Sequence, residues 1–213
     1  MRALIFATLA GCCLLPSFPL LAAPLALTRQ SVGQTPPEFE ALLTGGGPPP
    51  LWQVIEDATS ASGVALAQLS ADATDHRFPL AVYRPVSARN ALATVRFKAV
   101  SGTIDRAAGI ALRIADANNY YVVRANALEN NVNFYRVVNG RREEIKGASA
   151  KVASGTWHSL GLRAADDRFT IFFNGAELFS ATDRAIAKAG RVGLWTKADS
   201  ITSFDALDIE ELP

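Results

Sequence analysis

Cysteine and histidine are nearly missing from this sequence, and their scarcity excludes several kinds of active site. Two cysteines occur in 213 residues, Cys12 and Cys13, and both lie within the first 23 residues. If cleavage after Ala22 removes that segment, the remaining chain has no disulfide, thiol nucleophile or cysteine-ligated metal. The two histidines, His76 and His158, lack the i, i+4 spacing of a helical zinc site. We therefore expect neither a metal nor a cofactor.

Clusters of like charge are missing as well. The chain contains 21 Lys and Arg residues against 20 Asp and Glu residues, and Arg2 is the only charged residue among the first 23. Nucleic-acid binding depends on clustered basic side chains that displace counterions from phosphates. A nearly neutral chain without a basic block predicts no nucleic-acid partner.

The N-terminal segment, residues 1–23, has the pattern of an export signal. A positive start at Met1–Arg2 is followed by an apolar run that ends in small residues. Pro16 and Pro19 interrupt the run, so it predicts no membrane-spanning helix. We accordingly expect the protein in the periplasm or outside the cell.

Two processing routes remain open for this segment. Cleavage after Ala22 or Ala23 releases a soluble protein, although Pro24 disfavours that cut. Alternatively, the run Leu9–Cys12 (LAGC) resembles a bacterial lipobox, in which Cys12 is acylated and forms a lipid anchor. Soluble export is the favoured route, because the apolar region before Cys12 is short and the apolar run continues beyond it.

Composition divides the rest of the chain into a linker, residues 24–50, and one domain, residues 51–213. The linker is rich in proline and glycine and ends on Gly45–Pro50, three glycines followed by three prolines, which is a flexible and then rigid hinge. Within the linker, residues 38–43 fit one turn of helix. The remaining length is typical of a single all-β domain.

Short runs that alternate apolar and polar side chains fill the domain, and this period of two indicates half-buried strands. The runs 91–100 and 109–115 show the alternation most clearly. No proline occurs between Pro85 and Pro213, which suits strands because proline cannot donate to a ladder. About a dozen such strands predict an all-β fold, a two-sheet antiparallel jelly-roll sandwich.

Two dipeptides predict hairpins within this domain. Asn139–Gly140 and Asn174–Gly175 each separate two strand-like runs, and both residue types tolerate the positive φ of a type I′ turn. Helix patterns in the domain are weak and confined to residues 85–92 and 183–189. The hairpins therefore anchor the strand assignment.

The order of several segments resembles the concanavalin A-like lectin/glucanase superfamily. Within it, the chain is most similar to laminin-G-like and 3-keto-disaccharide hydrolase-type domains of bacterial exported proteins. The similarity covers residues 51–212 and implies a jelly-roll sandwich whose concave sheet commonly meets carbohydrate; some such domains are enzymes, and many only bind. The similar segments are RAAGI at 106–110, NNYYVVR at 118–124, GTWHSL at 155–160, FFNG at 172–175, GRVGLWT at 190–196 and SFDAL at 203–207.

One departure from the superfamily bears on catalysis. Family-16 glycoside hydrolases of this fold carry Glu-x-Asp-x-Glu on one strand, and this sequence has no such triplet. Asp208 and Glu210 place only two carboxylates on one face of the last strand, which favours a solvated face over a catalytic pair. The nucleophile motif Gly-x-Ser-x-Gly is absent too. No catalytic residue is predicted.

Five residues are candidates for ligand binding: Arg113, Tyr120, Arg124, Asn126 and Trp195. By strand parity Tyr120 and Arg124 share one face, where they form a platform and a guanidinium fork for sugar hydroxyls. Arg113 on the neighbouring strand would add a second cation, which favours an anionic or strongly polar ligand such as a uronate. Asn126 opens an asparagine-rich loop, and Trp195 would stack on a pyranose. The alternative for each is structural: ion pairing, sheet packing, a tight turn or a core cap.

Three functions remain open from the sequence. The first is an exported, lectin-like carbohydrate-binding module without catalysis, which the polar-aromatic stretch and the missing carboxylate triplet favour. The second is a glycoside hydrolase or lyase of the 3-keto-disaccharide hydrolase type, which the resemblance alone supports. The third is a laminin-G-like domain that contacts other proteins. Carbohydrate is therefore the expected partner.

Overall fold

The computed structural model describes residues 21–22 and 27–213, which form two antiparallel β-sheets packed face to face. Most of the expected signal segment, including Cys12, lies outside the described residues. A short 3-10 helix spans Arg29–Ser31. The strands are β1 (Leu21–Ala22), β2 (Phe39–Gly45), β3 (Trp52–Glu56), β4 (Val64–Gln68), β5 (Arg77–Ala88), β6 (Ala91–Ser101), β7 (Ala107–Asp116), β8 (Asn119–Asn126), β9 (Asn131–Val138), β10 (Arg141–Ser149), β11 (Trp157–Ala165), β12 (Arg168–Phe173), β13 (Ala176–Thr182), β14 (Gly190–Trp195) and β15 (Ile201–Glu211).

The order of strands in the two sheets differs from their order in the chain. The eight-stranded sheet runs β13-β12-β11-β6-β15-β4-β3, with β1 paired to the far end of β15. The seven-stranded sheet runs β10-β9-β8-β7-β14-β5-β2. The last two strands of the chain, β14 and β15, thus lie in the middle of the two sheets. No helix in the described part of the chain has the length and apolarity needed to cross a membrane.

The predicted all-β sandwich and both predicted hairpins are confirmed. Asn139–Gly140 joins β9 to β10, and Asn174–Gly175 joins β12 to β13. All four turn residues have positive φ, from 50° to 82°, as type I′ turns require. The Asn-Gly signal therefore fixed the register of both hairpins.

The predicted linker, residues 24–50, contains a strand of the seven-stranded sheet. Residues 39–45 form strand β2, which pairs with β5 from Phe39 opposite Tyr83 to Gly45 opposite Arg77. The predicted helical turn at 38–43 is wrong for the same reason, because pairing with β5 overrides a weak local helix preference. The segment that follows is docked as well: the guanidinium of Arg77 donates to the carbonyls of Pro48 and Pro49. The predicted linker therefore contributes to the sandwich.

The other two weak helix candidates, residues 85–92 and 183–189, are not helical either. Strand β5 continues through Ala88 and β6 begins at Ala91, because β5 has β2 on one side and β14 on the other. Residues 183–189 form a loop without regular structure. The Ile186 carbonyl in that loop accepts a hydrogen bond from Arg113 at 2.8 Å.

The main hydrophobic core lies between the two sheets. It takes alternate residues from both, in agreement with the predicted period of two. Tyr121, Phe134 and Phe169 pack against one another within it, with ring centroids 4.5 to 5.7 Å apart. The seven-stranded sheet buries a second, smaller apolar cluster on its opposite face. That second cluster positions the candidate site.

The seven-stranded sheet curls strongly around this second cluster. Neighbouring strands lie about 4.8 Å apart, so a flat sheet would hold β2 and β8 about 19 Å apart across four intervals. The side chains of Thr44 in β2 and Tyr120 in β8 nevertheless hydrogen-bond at 2.8 Å. The face that carries them is therefore concave, and we call it the curled face.

Candidate functional site

Four aromatic residues cover the middle of the curled face and are called the aromatic cluster: Phe78, Tyr120, Tyr135 and Trp195. Phe78 and Trp195 stack with their centroids 5.4 Å apart, and the Trp195 indole N–H donates to the Tyr120 hydroxyl at 3.2 Å. A Cβ on Gly109 would come within 3.1 Å of the Trp195 ring. Gly109 therefore leaves the space that the Trp195 indole occupies, which a larger residue would restrict.

Arg142 lies over the aromatic cluster. Its guanidinium carbon is 4.5 Å from the ring centroid of Tyr135, 4.8 Å from that of Phe78 and 5.7 Å from that of Trp195. A guanidinium over ring faces is attracted by their quadrupoles, and more so where water is partly excluded. Because Arg142 is itself partly exposed, it forms the surface of this part of the curled face.

The hairpin at Asn139–Gly140 explains why Arg142 points this way. Its register places Arg142 opposite Val137 on β9, and Val137 opposite Tyr120 on β8. Directly opposed residues of a sheet share one face. Arg142 and Tyr120 therefore lie on the same face, two strands apart.

No carboxylate oxygen among the residues that the structure describes lies within 4.0 Å of an Arg142 guanidinium nitrogen. The Nη1 atom of Arg142 is buried and has no hydrogen-bond partner among those residues. The guanidinium thus has an unpaired buried nitrogen, although the residue as a whole is partly exposed. Such a donor set is available to a ligand.

A carboxylate-centred network lies beside Arg142. Asp105 accepts a hydrogen bond from the Asn126 amide at 2.9 Å and lies 3.8 Å from the Arg124 guanidinium. The Lys197 ammonium bridges Asp105 at 3.1 Å and Asp75 at 2.7 Å. These contacts connect strand β8 with three loops: β4–β5, β6–β7 and β14–β15.

The outer part of the network is open to solvent, and we call it the polar rim. Arg124 donates to Glu129 at 2.7 Å and to Asn131 at 2.9 Å, and the Glu129 side chain is 48% exposed. The Asn133 amide donates to Glu144 at 2.9 Å and to the Tyr135 hydroxyl at 3.1 Å. The polar rim consists of Asp75, Glu129, Asn131, Asn133, Glu144 and Lys197.

Burial shifts the pKa of several of these groups toward the neutral form. It raises the pKa of Tyr120 to about 12, against the effect of its hydrogen bonds to Thr44 and Trp195. Burial also raises the pKa of Asp105, although Arg124 and Lys197 pull it down. The same desolvation lowers the pKa of the Arg142 guanidinium, which remains charged because an arginine starts so high.

Four of the five predicted site residues gather at this place, but as supporting groups. Tyr120 and Trp195 form the floor, and Arg124 and Asn126 hold Asp105 and the polar rim. All four side chains are buried, none more than 2% exposed. The expected stacking of a sugar on Tyr120 or Trp195 finds no free ring face, because Arg142 and the neighbouring rings cover them.

Arg113 does not join the other four. It has a positive φ of 52° at a bulge in β7, and its guanidinium lies 5.1 Å from the Phe169 ring in the main core. Its N–H groups donate to the carbonyls of Arg89, Asp166 and Ile186 at 2.5 to 2.8 Å. The expectation that Arg113 adds a second cation beside Arg124 is therefore not met, because a bulge changes strand parity.

A separate cavity of about 320 Å³ lies near Arg113. The three carboxylates on its wall already have partners: Asp166 pairs with Arg89, Asp167 with Arg184, and Asp183 with Arg136 and Tyr121. Because these carboxylates are already paired with residues of the protein, they have little charge or hydrogen-bonding capacity left for a ligand. In the described part of the chain, no group of three or more His, Cys, Asp and Glu side chains is placed to hold a metal.

Sequence reasoning missed Arg142, Asp105 and Lys197 as site residues. The signal for Arg142 was present, because the predicted two-residue turn at Asn139–Gly140 sets its register with β9. The other two had no local signal. Asp105 and Lys197 lie 92 positions apart in the sequence, and only the loops of the folded sandwich bring them together.

The sandwich is similar to several solved structures. A carbohydrate-binding module, CBM66 from Bacillus subtilis, superposes with a TM-score of 0.61 over 80% of this chain and 95% of that chain, at 21% identity. Domain 4 of AbnA, a GH43 extracellular arabinanase from Geobacillus stearothermophilus, in complex with arabinotriose, gives 0.59 over 91% and 93%, at 15% identity. The exoplasmic/lumenal domain of VIP36 in its Ca²⁺/Man-bound form gives 0.58 over 87% and 89%, at 12% identity.

These likenesses, at 21% identity or less, confirm the two-sheet β-sandwich fold. No protein-family model matches the chain, and no curated protein matches it in sequence.

Proposed function

We propose that this protein is an exported, lectin-like carbohydrate-binding module that holds a sugar against Arg142 and the polar rim without cleaving it. One observation carries the proposal: the guanidinium of the partly exposed residue Arg142 lies over three aromatic rings and has no ion pair with a described residue. Ligand sites combine an apolar base with a few placed polar groups in this way.

The polar rim supplies the groups that sugar hydroxyls need. Glu129 and Glu144 are exposed carboxylates that accept hydrogen bonds, and Asn131 and Asn133 carry amides beside them. Hydrogen bonds to charged groups are stronger than neutral ones. The rim therefore offers acceptors around a central cationic donor.

Two of the similar structures support the same class of ligand. One is a carbohydrate-binding module, and another was solved with arabinotriose. Both share the sandwich fold with this chain. Fold alone does not assign a ligand, so the support they add depends on the geometry around Arg142.

The carboxylates of the site favour binding over cleavage. A retaining glycosidase needs two carboxyls about 5–5.5 Å apart in a cleft, one of them able to donate a proton to the leaving group. Asp105 has a raised pKa but is only 1% exposed, and Asn126 and Lys197 bind its two oxygens. A group so enclosed cannot reach a glycosidic oxygen. We therefore assign Asp105 to positioning.

Export rests on the N-terminal segment, and its processing route is tested separately. Mass spectrometry of the protein recovered from cells distinguishes cleavage after Ala22 or Ala23 from an acylated N-terminal Cys12. An unprocessed Met1 would overturn the export part of the proposal and leave the binding part standing.

The binding proposal is tested by affinity electrophoresis of the protein in gels that contain different polysaccharides, with analysis of the sugars after incubation. Retardation by at least one polysaccharide, without shortened products, is the expected result. Products would overturn the non-catalytic part; 3-keto-glucosides belong in the panel for that reason. No retardation in any gel would overturn the proposal.

Two alanine variants locate the binding face. Arg142→Ala should weaken binding, measured as the dissociation constant from the retardation, at least tenfold, because it removes the guanidinium that lies over three rings of the aromatic cluster. Trp157→Ala is the matched control on the other sheet, where that indole lies beside Arg96 and Lys98, each 5.0 Å from the ring. Loss of binding in the Trp157 variant alone would place the ligand on the eight-stranded sheet and reject the curled face.

A further inference from the structure

We infer that the sugar bound at Arg142 carries a carboxylate, as a uronic acid does, and that this acidic unit is flanked by neutral sugars. The inference rests on the proposed function and names its ligand. It follows from the charged groups of the site and their partners, and from the position of Arg142, which has no carboxylate partner among the described residues.

Each acidic group around Arg142 already has a partner. Asp105 is held by Lys197 and Arg124, Asp75 by Lys197, and Glu129 by Arg124. Glu144 accepts from the Asn133 amide. Among the described residues, Arg142 is the cation of this site that no carboxylate approaches within 4.0 Å.

The surroundings of Arg142 make an anion a better partner than a neutral hydroxyl. The aromatic cluster removes water from one side of the guanidinium, and this burial lowers the pKa of Arg142. A charge in a partly desolvated place gains more from an opposite charge than it would in water. A guanidinium also matches a carboxylate with two parallel N–H···O bonds.

The polar rim limits how many negative charges the ligand carries. The side chains of Asp75 and Glu129 are 62% and 48% exposed, and Glu144 is exposed too. Asp75 is close enough for Arg142 to contribute to its lowered pKa, Glu144 lies two positions from Arg142 on β10, and Glu129 pairs with Arg124. These exposed charges would repel further carboxylates on adjacent sugar units. A single uronate between neutral sugars fits this pattern, whereas a continuous polyuronate does not.

Isothermal titration with a matched pair of ligands tests the inference on the unaltered protein. One ligand is a neutral oligosaccharide that carries a single glucuronate; the other is the same molecule with its carboxylate reduced to the alcohol. We expect the reduced ligand to bind at least tenfold more weakly. A contiguous oligogalacturonate should also bind at least tenfold more weakly than the singly charged ligand.

Two variants on the same hairpin connect the preference to Arg142. Arg142→Gln should bring the affinity for the acidic ligand to that for the reduced one. Arg141→Gln removes the same charge from the neighbouring position, whose side chain is 82% exposed and pairs with Glu143; it should change the affinity less than twofold. If both variants lose the same affinity for the acidic ligand, the preference comes from the net charge of the protein and not from Arg142. That result would overturn the inference.

The outcomes separate the inference from the proposed function. Equal binding of the acidic and reduced ligands would overturn the inference while the carbohydrate-binding module stands. Absence of binding to every sugar, acidic or neutral, would overturn both. Because the comparison of ligands uses the unaltered chain, it decides the matter even if Arg142→Gln folds poorly.

Discussion

The hydroxyls of Thr44 and Tyr120 lie 2.8 Å apart although three strands separate β2 from β8 in the sheet. This hydrogen bond joins one edge of the seven-stranded sheet to its middle and fastens the curled face. The Trp195 indole donates to the same Tyr120 hydroxyl. The Tyr120 hydroxyl therefore stabilises the curvature of the sheet and also positions Trp195 in the candidate site.

Tyr120→Phe should lower the free energy of unfolding by about 1–3 kcal/mol, because it leaves the Trp195 N–H and the Thr44 hydroxyl buried without that partner. Urea unfolding followed by tryptophan fluorescence measures the change. Tyr83→Phe is the control, since it removes a hydroxyl from a partly exposed ring and should change stability by less than about 0.5 kcal/mol. Equal effects of the two variants would contradict the role given to Tyr120.

Arg113→Lys should lower the free energy of unfolding by at least about 2 kcal/mol, because an ammonium cannot reach three carbonyls with the geometry of a guanidinium. Affinity for carbohydrate should stay within twofold of the unaltered protein. Arg141→Lys, on an exposed side chain, is the control for the substitution itself. A large loss of affinity with unchanged stability would return Arg113 to the binding site.

Asp199 should make stability fall in acid. Burial opposes its ionisation, but the backbone N–H groups of Thr103, Asp105 and Ile104 outweigh it, and its pKa is lowered from 3.8. A lowered folded-state pKa gives stability that is present above the unfolded value and lost as pH falls through the folded value. The difference in unfolding free energy between the unaltered protein and Asp199→Asn should therefore shrink as the pH falls below about 3.8.

Urea midpoints measured at neutral pH and at successive steps below pH 4 give that difference. At neutral pH, Asp199→Asn should be less stable by about 1–3 kcal/mol, because three N–H donors lose a charged acceptor. Asp208→Asn, on an exposed position of β15, serves as the control. If the difference in unfolding free energy stays constant with pH, the charge of Asp199 does not stabilise the loop at residues 103–105.

A chain that begins at Leu51 should not fold cooperatively, whereas one that begins at Leu27 should. The shorter chain lacks β2, which leaves β5 without its edge partner and Tyr120 without Thr44. It also removes the Pro48 and Pro49 carbonyls from the fully buried Arg77. Calorimetry of both chains checks this. A sharp transition for the shorter chain would instead support a domain boundary at residue 51.

The sequence predicted the fold class well because its signals are local. The period of two along β6 and β7 follows from one buried face, and the Asn-Gly turns need only two residues with positive φ. Strand β2 escaped prediction because its stability comes from a distant partner: Phe39–Gly45 gains its order from β5, some 40 residues later.

The site was predicted only in part, for reasons that concern distance and parity. Tyr120 and Arg124 were correctly placed on one face, since parity within a strand is local. Their burial was left open as the structural alternative, because it depends on the curl of the whole sheet and on Arg142, which no local pattern reveals. Arg113 was misplaced because the bulge between Leu112 and Asp116 breaks the alternation that parity assumes.

The central positions of β14 and β15 have a consequence for biosynthesis. While residues 190–211 are still inside the ribosome, β5 and β7 have free inner edges in one sheet, and β4 and β6 have free inner edges in the other. The chain therefore cannot complete either sheet progressively from its N-terminus, and pairing over such separations is slow. Unpaired strand edges invite association between molecules. The nascent protein, with both sheets open at the middle, is the form most in need of protection.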